Sequence, residues 1–109
     1  MSVSSQSSQI DMLDDIARML RAFVVCEMYN IIDRLANATS KEAVESSLYE
    51  ALRASRSAKK HGGLCNEVPQ ERVWIPRDES VTALLNALDK DLNQGLETVK
   101  RIVLKALSI

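Results

Sequence analysis

The stretch Gly62–Asp78, GGLCNEVPQERVWIPRD, constrains this chain more than any other. It is the one interior segment that cannot continue a helix, and it holds the only Trp, both prolines and two of the three glycines. Patterns of helical period lie on either side of it, so its conformation selects between two architectures. If it forms a β-hairpin, the chain is a winged-helix-like module, mainly α with long N- and C-terminal helices. If it is only a loop, the chain is an all-α antiparallel bundle.

Residues 1–8 are rich in Ser and Gln and are expected to be a disordered tail. The remainder, 9–109, reads as one domain. From Gln9 a stripe of Ile10, Leu13, Ile16, Leu20, Val24, Met28, Ile31 and Leu35 predicts one amphipathic helix, capped by Ser8 and ending at Asn37 and Ala38. Thr39 to Glu42 reads as a capping box for a second helix. Nothing interrupts residues 41–61, so local sequence allows one helix of about twenty residues; a helix-turn-helix needs a break near Ser46 to Tyr49. Gly62 and Gly63 stop it.

Leu64–Val68 and Arg72–Ile75 then offer two short strands around a turn at Pro69 and Gln70. Pro76 ends the second, and Asp78 with Glu79 opens a last helix over 78–108. At thirty residues that helix would span about 45 Å. Such a length implies packing along the first helix or pairing with another chain, and Gly95 marks a bend or a close crossing.

Only four aromatic residues are present, so the core must be aliphatic, which favours helix over sheet. The net charge of −1 predicts no global attraction to nucleic acid or membrane, but its distribution is uneven. Residues 51–65 carry Arg53, Arg56, Lys59 and Lys60 without an acid. Arg53, Arg56 and Lys60 share a helix face that could meet phosphates, with Arg72 on the wing beside them. Four such contacts imply a salt slope of about −3.6, which describes a weak, salt-sensitive binder. Leu85, Leu88, Leu92, Val99 and Ile102 on the last helix form a candidate interface for a homodimer or a protein partner.

Catalytic chemistry finds little support. His61 is the only histidine, the acidic pairs Asp14–Asp15 and Asp89 with Asp91 fall on polar helix faces, and no phosphate loop, nucleophile elbow or metal-ligand cluster occurs. The expectation is a protein that is not an enzyme, with no cofactor, no metal and no small-molecule substrate. Cys26 and Cys65 belong to no C-x-x-C pair, and Cys26 reads as a small buried hydrophobe. The N-terminus lacks an apolar signal core and no apolar run approaches the about 18 residues of a membrane span. An intracellular site, cytoplasm or nucleus, is expected.

In order of elements the chain resembles the winged-helix domain of archaeal transcription factor E and of the alpha subunit of its eukaryotic general counterpart. The resemblance is carried by Ile16-Ala17-Arg18, Arg21-Ala22-Phe23, Ile31-Ile32-Asp33 with Leu35, the Thr39 to Glu42 cap, Gly63-Leu64, and Val73-Trp74-Ile75-Pro76. It implies a transcription-associated module that contacts RNA polymerase and promoter DNA without reading bases. The rival is a helical interaction or scaffold subunit that self-associates through its long helices.

Overall fold

The computed structural model of the chain describes residues 11–108. The expected tail over 1–8 and the Ser8 cap lie outside them. Asp11 caps the first helix, its carboxylate accepting from the Leu13 amide at 3.0 Å, and α1 runs Met12–Val25. There the chain turns. Glu27 adopts φ 58°, the Glu27 amide donates to Val24 O at 3.0 Å, and the Met28 amide donates to Phe23 O at 2.8 Å. That pair of bonds is a Schellman stop built without glycine. The single helix expected from Gln9 to Ala38 is therefore two, with α2 at Tyr29–Ala36. The turn lets Ile31, Ile32 and Leu35 join the core that Ile16, Leu20 and Phe23 already fill.

Helix α3, Lys41–Lys60, is one continuous twenty-residue helix. Its cap is Ser40, whose Oγ accepts from the Ala43 amide at 3.1 Å, one residue later than the expected Thr39 to Glu42 box. With no break near Ser46 to Tyr49, the helix-turn-helix of a winged helix is absent. Val44, Leu48, Ala51 and Leu52 bury its inner face.

The last predicted helix, 78–108, is also two. Asp91 lies in an extended conformation between α4, Asp78–Lys90, and α5, Leu92–Leu107, and its carboxylate accepts from the Gln94 amide at 3.2 Å. An unbroken helix would carry much of its apolar stripe beyond the core. The break lets α5 pack on both α4 and α1. Gly95 sits at the crossing: a Cβ there would stand 2.7 Å from Leu88 Cδ2 and 2.8 Å from Leu88 Cα. Because one of those atoms is backbone, Gly95→Ala must push the helices apart and is expected to cost about 1–3 kcal/mol. Urea denaturation measures this, and an unchanged midpoint would contradict the crossing.

Residues 64–75 form no strand. A lone antiparallel bridge joins Cys65 and Val68. The chain reverses at Asn66 and Glu67, where the Val68 amide reaches Cys65 O at 3.0 Å, and not at Pro69 and Gln70. Gln70–Arg72 is instead a turn of 3₁₀ helix. A two-stranded ribbon this short is marginal by itself. The loop gains more by burying Val68 and Val73 against Ala22 of α1 and Ala58 of α3, a small second core that also gathers Leu64 and Ile75. The protein is thus an all-α bundle among its described residues, the alternative architecture, and the winged-helix reading is corrected.

Candidate interaction surface

The loop between α3 and α4 is held at four places, which together make it a rigid part of the surface. At its start, Gly62 and Gly63 both have positive φ, and the Gly63 amide donates to Ala58 O at 2.8 Å. A Cβ on Gly63 would lie 2.6 Å from Val68 O, so only glycine fits under the turn. Next, Cys65 is joined to Cys26 at the end of α1 by a disulfide across 39 residues of sequence. Third, Lys59 reaches from α3 and donates to Val73 O at 3.0 Å.

The fourth is Asp15, only 2% exposed on the inner side of α1. It accepts from Trp74 Nε1 at 2.8 Å, from the Arg77 amide at 2.9 Å and from Ser80 Oγ at 2.6 Å. One carboxylate so ties α1, the end of the loop and the first turn of α4. Burial pushes its pKa up, but the bonds from Ser80, Arg77 and Trp74 outweigh burial and hold the group below its ordinary 3.8. Arg18 lies over the Trp74 ring at 3.9 Å from its centroid, a cation–π contact that covers the indole.

The residues singled out from sequence are dispersed by this arrangement. Arg53, Arg56 and Lys60 are exposed on the outer side of α3. Lys59 is committed to the loop carbonyls, and Arg72 sits on the 3₁₀ turn, not on a wing. Of the five proposed interface residues, Leu88, Val99 and Ile102 are buried in the chain's own core, Leu85 is half-buried and Leu92 is 41% exposed. Other apolar side chains stand outside: Leu104 at 63% and Leu107 at 46% share a face at the end of α5, and Val25, Met28 and Tyr29 rim the α1–α2 turn. Arg18, Arg21 and Arg72 line a small groove with Ala22, Val25, Glu67 and Val68.

Two structural anchors carry little local signal in the sequence. Asp15 was assigned with Asp14 to a solvated face, although Met12, Asp15, Met19 and Ala22 follow one another at helical spacing and place the carboxylate beside the apolar stripe. Cys26 was read as a plain hydrophobe; no local signal pairs it with Cys65, because their meeting depends on how the loop docks. The Asp91 cap did leave a trace, since Asp91 and Gln94 have capping-box spacing.

Among the described residues no group of His, Cys, Asp or Glu is arranged to hold a metal ion, and no helix is long and apolar enough to cross a membrane. Residues 18–106, more than four fifths of the chain, match the model of a family described as CRISPR-associated protein (Cas_Csa5). That match overturns the resemblance to the transcription factor E winged-helix domain, the transcription role it implied, and the reading of the chain as a nucleic-acid-associated module built on a basic helix end and a wing. Comparisons with curated proteins and with solved structures give no match.

Proposed function

Since the chain belongs to the Cas_Csa5 family of CRISPR-associated proteins, we propose that it is a non-catalytic helical scaffold subunit, acting inside the cell as one component of a multi-protein CRISPR-associated assembly. The family match over residues 18–106 carries this reading. The surface supports it. Leu104 and Leu107 lie on neighbouring turns of α5 and remain exposed after the core is filled, beside the exposed Lys100 and Arg101. Apolar side chains grouped in this way, with a polar rim, suit contact with another protein. Leu92, at the other end of the same helix, is the member of the sequence-derived interface set that stays most available for such contact.

Co-expression with other CRISPR-associated proteins of the same genome tests the proposal. The wild-type chain is expected to co-purify with at least one of them in a complex of defined mass by light scattering. Leu104→Glu with Leu107→Glu is expected to reduce the recovered complex by about tenfold, a loss on the scale of one well-packed interface anchor. A chain that stays monomeric and captures none of these proteins would refute the scaffold reading.

A further inference from the structure

We infer that the groove between α1 and the clamped loop is a docking site for an acidic segment of a partner protein, with a carboxylate seated among Arg18, Arg21 and Arg72. This inference deepens the scaffold reading and rests on it. The groove has a volume of about 120 Å³ and is lined by those three arginines, by Ala22, Val25 and Val68, and by Glu67. It is smaller than the roughly 300–1,000 Å³ of sites that enclose a small molecule. It suits the end of a side chain better than a cofactor.

Charge is what the groove leaves unmatched. None of Arg18, Arg21 and Arg72 has an ion-pair partner among the described residues, and unlike the equally unpaired Arg53, Arg56 and Lys60 they converge on one groove. Arg21 donates through Nη2 to Lys105 O at 3.0 Å, yet its Nε is buried without an acceptor. Guanidinium groups present planar forks that match a carboxylate in bidentate geometry. Three of them against Glu67 alone leave the groove an excess of positive charge.

The walls favour a protein occupant over a nucleic-acid backbone. Ala22, Val25 and Val68 supply an aliphatic floor for the methylene stem of a glutamate. A phosphodiester backbone has no aliphatic stem to cover that floor. The disulfide and the Asp15 anchor also hold the two sides of the groove in place, so little ordering is needed when a segment docks.

The test uses the full chain co-expressed with other CRISPR-associated proteins of the same genome and treated with nuclease. Arg72 makes no side-chain hydrogen bond or ion pair among the described residues and lies on an exposed turn, so Arg72→Glu is expected to fold normally, with an unchanged melting temperature. It is expected to weaken capture by about tenfold, and Arg18→Gln by less. Arg53→Glu with Lys60→Glu, on exposed positions of α3 outside the groove, serves as the charge control and is expected to capture like the wild type. Hydrogen exchange then locates the protected acidic segment of the partner, and a Glu→Lys change there is expected to restore binding to the Arg72→Glu chain. Wild-type capture that survives Arg72→Glu and Arg18→Gln undiminished overturns the groove while leaving the scaffold reading intact. Capture present without nuclease and lost on nuclease treatment assigns the contact to nucleic acid, and capture lost only in the α3 control moves it to α3; either result overturns the groove. A wild-type chain that captures nothing overturns both.

Discussion

Asp15→Ala is expected to destabilise the protein by about 3–5 kcal/mol, because each buried donor left without an acceptor costs about 1–3 kcal/mol. Its loss strands three donors at once: Trp74 Nε1, the Arg77 amide and Ser80 Oγ. Asp15→Asn is a finer probe. An asparagine oxygen can replace the atom that serves Arg77 and Ser80, but its amide then faces the Trp74 N–H donor to donor; the reverse orientation loses the other pair. Its cost should be about 1–3 kcal/mol. The pH dependence follows from the same bonds. Because the folded carboxyl titrates below its ordinary 3.8, its stabilisation is present above that value and is lost as the pH falls through the folded pKa. Denaturation midpoints measured from neutral pH down to about pH 2 should therefore fall less steeply in Asp15→Asn than in the wild type. Equal slopes and an unaltered midpoint would show that Asp15 does not anchor the loop.

Opening the Cys26–Cys65 bridge is the second large effect. Closing a loop of this length restricts the unfolded chain by about 4 kcal/mol in the entropic treatment. At about 4–8 °C per kcal/mol for a domain of this size, Cys26→Ser with Cys65→Ser should lower the melting temperature by on the order of 15–30 °C. Reductant should lower the wild type by a similar amount and leave the double mutant unaffected. Thiol titration of the native protein provides the independent check, with no reactive thiol expected. Two titratable thiols, or melting insensitive to reductant, would contradict the bridge. Since the loop carries Arg72 and Glu67 on one wall of the groove, its loosening should also weaken the acidic contact.

Much of the secondary structure was legible because it follows from local chemistry. The run from Lys41 to Lys60 contains no breaker and is one helix, and Gly62 with Gly63 ends it as their freedom at positive φ allows. Gly95 was correctly marked as a place where helices approach. The two missed breaks share a cause. Around Glu27 and Asp91 no glycine or proline forces the chain to turn, and the differences in helix propensity at stake are under about 1 kcal/mol per residue. Folding the apolar stripes back on one another outweighs them, so α1 stops at Val25 and α4 at Lys90.

The site was less legible than the fold. Arg53, Arg56 and Lys60 stood out because they are neighbours in sequence, whereas Arg18, Arg21 and Arg72 converge only after the loop docks. Leu88, Val99 and Ile102 looked like an interface because a long straight helix would have left them bare; once α5 turns onto α4 they are core.

By itself, then, the amino-acid pattern determined an aliphatic, mainly helical protein, a run over residues 41–61 with nothing to interrupt a helix, and the segment Gly62–Asp78 as one that cannot continue it. Whether that segment became a wing was a tertiary decision. Ala22 and Ala58 are small enough for Val68 and Val73 to sink between α1 and α3, and Asp15 offers a buried acceptor to Trp74. A hairpin would have left those valines at a solvated edge and that carboxylate without its donors. Contacts so distant in sequence exist only in the assembled fold, and they made the segment a clamped loop.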